Sequence, residues 1–161
     1  MADSTPVFEV VFGACGKAVG KLRNEVTVTA QQPFRTTNML ATDEGPFQGG
    51  EGTAPTPLEY FLTGLVGCLM TQIRVFARRL KVRIDDLEVD CHAHWSAHKD
   101  DVGPYQGRPE QFRIDVRISS PEPRDRIEEL VQAARRGCFV EATLGQENVI
   151  AHSLEIIGPS T

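Results

Sequence analysis

The sequence predicts an α+β chain with antiparallel sheet. Segments of period-two alternation lie toward both ends of the chain, and one long segment of helical period separates them. A second helical segment follows the later strands, and no repeating βαβ unit is visible. With 161 residues the chain fits one domain, residues 1–161, or one domain that completes itself by dimerising. A hydrophobic share of 40% and a charged share of 24% allow an ordinary globular core.

The elements follow in order. VFEVVFGACGKAVGKLRNEVTVTA (7–30) reads as a β-hairpin with Gly13, Gly16 and Gly20 available for the turn or a bulge. A short strand is expected near 34–41, and DEGPFQGGEGTAPTP (43–57) is loop by composition. Thr56 suits an N-cap, Pro57 suits N1, and Glu59 at N3 completes a capping box. Phe61, Leu65, Cys68, Leu69, Ile73 and Phe76 follow at helical spacing, with Arg74, Arg78 and Arg79 opposite. This predicts a helix over about 57–80, roughly 36 Å long. So long a helix in so small a domain suggests that a partner chain packs on it.

The C-terminal α+β part covers 85–158. LEVDCHAHWSAH (87–98) alternates with Leu87, Val89, Cys91, Ala93 and Trp95 on one face. DDVGPYQGRPEQ (100–111) reads as a connection and FRIDVRIS (112–119) as a strand. PEPRDRIEELVQAARRG (121–137) reads as a loop and helix with Gly137 as its C′ stop. CFVEATLG can form a short helix, and NVIAHSLEII (148–157) reads as a last strand.

The formal charge of −5, from 17 Lys+Arg against 22 Asp+Glu, argues against nucleic acid as a partner. No basic segment followed by a long apolar one marks the N-terminus as a secretory signal. No run approaches 18 apolar residues, so no membrane span is expected, and the cytoplasm is the expected location. In a reducing compartment Cys15, Cys68, Cys91 and Cys138 point to catalysis, metal or packing rather than a structural disulfide framework.

Two motifs carry a resemblance. GTAPTPLEYFLTGLVGC (52–68) places G-x-x-P-x-P-x-E ahead of G-C on an apolar helix, and CFVEATL (138–144) follows the later helix. Together they resemble the OsmC/Ohr family, with the DEGPFQGG loop similar to its OsmC-like branch, over nearly the whole chain. The resemblance implies an interlocked homodimer, with antiparallel sheets wrapped around two long central helices. It also implies a thiol-dependent peroxidase acting on organic hydroperoxides, with Cys68 attacking and Cys138 resolving. A dithiol reductant, either a lipoyl-bearing protein or a small dithiol, would restore the thiols. Two departures stand out: the family usually has proline where Phe139 stands, and the segment around Arg23 matches only loosely.

That chemistry needs a thiolate. Cys68 lies about three turns into its helix, beyond the reach of the helix dipole, so an arginine must meet it. The resemblance points to Arg23, with Arg35 as the substitute, from either chain. Glu59 would orient that guanidinium as well as cap the helix. No metal or organic cofactor is required. Leu65, Leu69 and Phe61 suit an alkyl or aromatic hydroperoxide. Two other readings stay open. The same fold could be a non-enzymatic module that binds an apolar ligand at the dimer groove, with Cys68 as core packing. Alternatively, Cys91, His92, His94 and His98 could hold a metal.

Overall fold

The computed structural model describes residues 5–158. Along the chain come β1 (Val11–Val19), β2 (Arg23–Gln32), β3 (Thr36–Thr42) and α1 (Pro57–Leu80), then β4 (Asp86–His98), β5 (Gln106–Ser119), α2 (Arg124–Gly137) and α3 (Phe139–Leu144). The first three strands form an antiparallel sheet in the order β1-β2-β3, and β4 pairs antiparallel with β5. The expected α+β class with antiparallel pairing is present. Contacts divide the chain into two compact units, one ending at Thr63 and one beginning at Gly64, within α1.

In the first unit Gly20 turns the β1–β2 hairpin at φ +69°, a left-handed conformation that costs glycine little. The register pairs Val19 with Arg23, so Arg23 opens β2. The start of α1 follows its sequence signature. Thr56 Oγ1 accepts from Glu59 N–H (3.3 Å), and Thr56 N–H donates back to Glu59 Oε2 (2.6 Å).

In the second unit Leu69, Ile73 and Ala77 of α1 pack with Leu130, Ala134 and Cys138 into one buried cluster. Leu87, Val89, Ile114 and Val116 supply the inward face of the β4–β5 hairpin beneath it. Each fully buried leucine contributes roughly 1.5–3 kcal/mol relative to exposure. Helix α1 ends in a Schellman turn: Val82 N–H reaches Ala77 C=O (2.9 Å) and Lys81 N–H reaches Arg78 C=O (3.4 Å). Lys81 holds the left-handed position at φ +54°, where glycine is the usual occupant. Arg126 Nη2 donates to Leu80 C=O (3.1 Å) and so ties the start of α2 to the end of α1.

Three expectations are corrected. Segment 148–157 forms no strand; Ile150, Leu154, Ile156 and Ile157 stand exposed, because their alternation finds no strand edge among the described residues. Strand β5 starts at Gln106, inside the expected connection. Pro109 is tolerated there because the register shifts between His94 and Trp95, leaving a bulge at Glu110. Gly137 is the last residue of α2 and not a left-handed stop. It is needed because a Cβ there would lie 2.6 Å from Phe76 Cζ. By length and composition α1 alone among the described helices could cross a membrane, its best window averaging a hydropathy of 1.4. Its buried stripe of Leu65, Leu69, Ile73 and Ala77, with Arg74, Arg78 and Arg79 exposed, is the pattern of an amphipathic core helix.

Gly137→Ala is expected to lower stability by about 1–3 kcal/mol, because the Phe76 ring must give way. Denaturant unfolding at constant m-value checks this; an unchanged midpoint would remove the packing explanation.

Candidate functional site

Two helices bring the sulfurs of Cys68 and Cys138 together. Cys68 is half-buried on α1, one residue before the buried Leu69. Cys138 is fully buried between α2 and α3. Cys68 packs against the buried cluster that holds Cys138, near enough for its sulfur to act on the Cys138 thiol, and both are free thiols. The approach depends on Phe76, two turns beyond Cys68, lying flush against Gly137.

Cys138 has a second role: its Sγ caps α3 by accepting from Glu141 N–H at 3.5 Å. Burial pushes its thiol up to about 11; the backbone N–H groups of Glu141 and Val140 pull the other way, and the Cys68 sulfur adds to the rise. Burial therefore keeps the Cys138 thiol protonated through the ordinary thiol range. Arg135, at the end of α2, pairs with Glu141 (Nε–Oε1 2.9 Å), whose other carboxylate oxygen is buried without a hydrogen-bond partner. Phe139 occupies the first position of α3, where no intrahelical N–H bond is required. Proline and phenylalanine both suit such a position, so the departure from the family pattern leaves the local backbone intact.

The other candidates lie in the first unit. Glu59 is committed to Thr56: Oε2 accepts from the backbone N–H (2.6 Å) and the hydroxyl (2.8 Å), which hold its carboxyl below the usual range. Arg23 Nη1 donates to Thr53 C=O (3.1 Å) and to Thr53 Oγ1 (2.9 Å). Arg35 is exposed between β2 and β3. Sequence reasoning missed Asp43. This buried carboxylate accepts from Glu44 N–H (2.8 Å), Thr53 N–H (2.9 Å) and Thr53 Oγ1 (2.8 Å). The two Thr53 bonds are the main cause of its lowered pKa. Only a lone Asp at the start of a loop signalled it in the sequence.

Cys91 lies on the half-buried face of β4, where burial raises its pKa, while His92 and His94 line an open depression with Gln111 and Arg113. Ser96, His98 and the bulged Glu110 share hydrogen bonds toward the loop end of the hairpin. Among the described residues no group of three His, Cys, Asp or Glu side chains could hold a metal ion.

The fold and the site define a class: an α+β protein with a reduced cysteine pair, one member half-buried on a long capped helix and the other buried at the end of a second helix. The family model for OsmC-like proteins matches residues 50–153, and the chain belongs to that family. An OsmC-like hydroperoxide resistance protein from Jannaschia sp. CCS1 is similar at 48% identity, with 91% of this chain and 93% of that one covered and a TM-score of 0.61. Two more distant structures share the fold. An organic hydroperoxide resistance protein from Legionella pneumophila has 18% identity, coverage of 87% and 91%, and a TM-score of 0.55. An OsmC-like protein from Mycoplasma pneumoniae has 18% identity, coverage of 85% and 87%, and a TM-score of 0.60. No curated protein matches the chain.

The Cys138 thiol gives a pH signature. Burial favours its neutral form, so the folded chain holds this proton to a higher pH than the unfolded chain. The contribution to stability is full below the ordinary thiol range and is lost as pH rises from there to about 11. Denaturant unfolding across that window should show a stability difference between the wild type and Cys138→Ala that shrinks with rising pH. A constant difference would show that the thiol titrates normally.

Proposed function

We propose that this protein is a thiol-dependent peroxidase that reduces organic hydroperoxides. The observation that carries the reading is the pair of neighbouring free thiols, one half-buried on α1 and one sealed in the core. The family and the hydroperoxide-resistance relative at 48% identity support the substrate class.

The cycle balances with a dithiol as reductant. The Cys68 thiolate attacks one peroxide oxygen of ROOH, the O–O bond breaks, and the alkoxide leaves and takes up a proton as ROH. Cys68 is now a sulfenic acid. Cys138 attacks that sulfur, its proton joins the departing hydroxide as water, and a disulfide forms. The dithiol then reduces the disulfide and is itself oxidised. Cys138, which burial keeps protonated, suits the second step, and that leaves the attack to Cys68. Arg23, with Arg35 as substitute and from either copy of the chain, is the cation this reading gives to the thiolate and to charge on the leaving oxygen. Glu59 orients the guanidinium when the substrate site is assembled. Buried Leu65 and Leu69 on the same helix favour an alkyl or aromatic group over hydrogen peroxide.

The working unit in this reading is an interlocked homodimer in the cytoplasm, with the α1 helices of two copies packed together. Exposed apolar side chains support it: Met39, Phe47, Val149 and Ile156 are each more than three-quarters exposed. Gly64 and Gly67 leave open space on the exposed side of α1, where a second helix can approach.

Hydroperoxide consumption with a dithiol is expected for the wild type. Cys68→Ser should abolish it, and Cys138→Ser should stop after one equivalent of ROH. Oxidised wild type should lose two hydrogens and yield a Cys68–Cys138 linked peptide. No turnover with both thiols titratable would instead favour a module that binds an apolar ligand. Sedimentation should give about twice the chain mass of 17.8 kDa; a monomer at micromolar concentration would overturn the dimer.

A further inference from the structure

A buried carboxylate normally has a cation or several donors beside it. Asp43 is 1% exposed, and among the described residues it forms no ion pair. Its three hydrogen bonds come from the Glu44 N–H, the Thr53 N–H and the Thr53 hydroxyl. That hydroxyl has one proton and two lone pairs. Its proton goes to Asp43 Oδ2, so its lone pairs are left for Arg23 Nη1, which donates to Thr53 Oγ1 (2.9 Å) and to Thr53 C=O (3.1 Å). An ionised Asp43 thus sets the direction of the Thr53 hydroxyl, and the hydroxyl sets the guanidinium.

The loop is built to hold this relay. Asp43 N–H donates to Pro55 C=O (3.2 Å) and Gly52 N–H donates to Glu44 C=O (3.0 Å), closing the segment on itself. Gly50 lies against that closure, where a Cβ would fall 1.9 Å from the Glu44 carbonyl oxygen. Beyond Pro55 the chain runs directly into the Thr56 cap of α1, the helix that carries Cys68. The loop that seats Arg23 is therefore continuous with the start of the cysteine helix.

We propose that Asp43, acting through Thr53, is the positioning residue for Arg23, aiming the guanidinium that serves the reacting thiol. The proposal rests on the reading of Arg23 as the thiolate's cation. Asp43 and Thr53 do not touch substrate; they fix one Arg23 nitrogen and leave its other donors uncommitted among the described residues.

The experiment is a double-mutant cycle on hydroperoxide turnover with a dithiol, using Arg23→Ala, Thr53→Val and the double variant. Thr53→Ser serves as rescue, and Thr53→Ala stands in if the valine variant does not fold. Thr53→Val should lower kcat/KM by about tenfold to hundredfold in the fraction that remains folded. It should also shift the pH profile of Cys68 alkylation in the same direction as Arg23→Ala. In the double variant Thr53→Val should add nothing to the loss from Arg23→Ala, and Thr53→Ser should restore most of the activity. Losses that multiply, or a Thr53→Val enzyme with wild-type kcat/KM beside a crippled Arg23→Ala, would overturn the positioning role and leave that of Arg23 standing. Undiminished turnover in Arg23→Ala would overturn the role of Arg23, and the positioning proposal with it.

Discussion

Two sulfurs 70 residues apart in sequence come close at the core of the second unit, and the local structure around them is organised to permit it. The long helix supplies one sulfur from its half-buried side. The second helix supplies the other just past its end, where the chain must turn at once into α3. The Phe76 ring occupies the space that a side chain at Gly137 would need. Removing any methyl-sized volume from that contact, or adding one, moves a thiol whose chemistry depends on distance. The Cys138 sulfur also caps α3, so its position is fixed by the backbone that follows as well as by the helix before.

The same burial that brings the thiols together makes them unequal. A thiol in an apolar core resists ionisation because its anion would lose solvation, and Cys138 lies deeper than Cys68. Two backbone N–H groups oppose this effect and do not overcome it. In the first unit the electrostatic problem is solved differently. There Asp43 is stabilised by hydrogen-bond donors from its own loop, and the guanidinium of Arg23 meets it only through the Thr53 hydroxyl.

Much of the fold was legible in the residues because local physics settles it. The capping box at Thr56 and Glu59, the proline at the first helical position and the apolar spacing that follows place α1 at Pro57–Leu80. The alternation in β4 predicted its half-buried face residue by residue. The failures share one cause, dependence on neighbours. Residues 106–111 read as connection because the bulge at Glu110 that accommodates Pro109 shows only in the pairing of β5 with β4. Segment 148–157 read as a strand because its alternation is genuine, but a strand also needs an edge to pair with. Gly137 read as a helix stop, whereas a ring on another helix requires it.

The sequence by itself determined the α+β class, the capped helix carrying Cys68, the second motif carrying Cys138 and the family to which both motifs belong. These are legible because spacing along a chain encodes helix faces, caps and strand alternation directly. Only the tertiary structure decided that Cys138 is the sealed member of the pair, that Glu59 is held by Thr56, and that a buried Asp43 stands behind Arg23. Burial and hydrogen-bond partnership arise between segments distant in sequence, and no local pattern records which donor a buried carboxylate will find or how far a thiol will be removed from water.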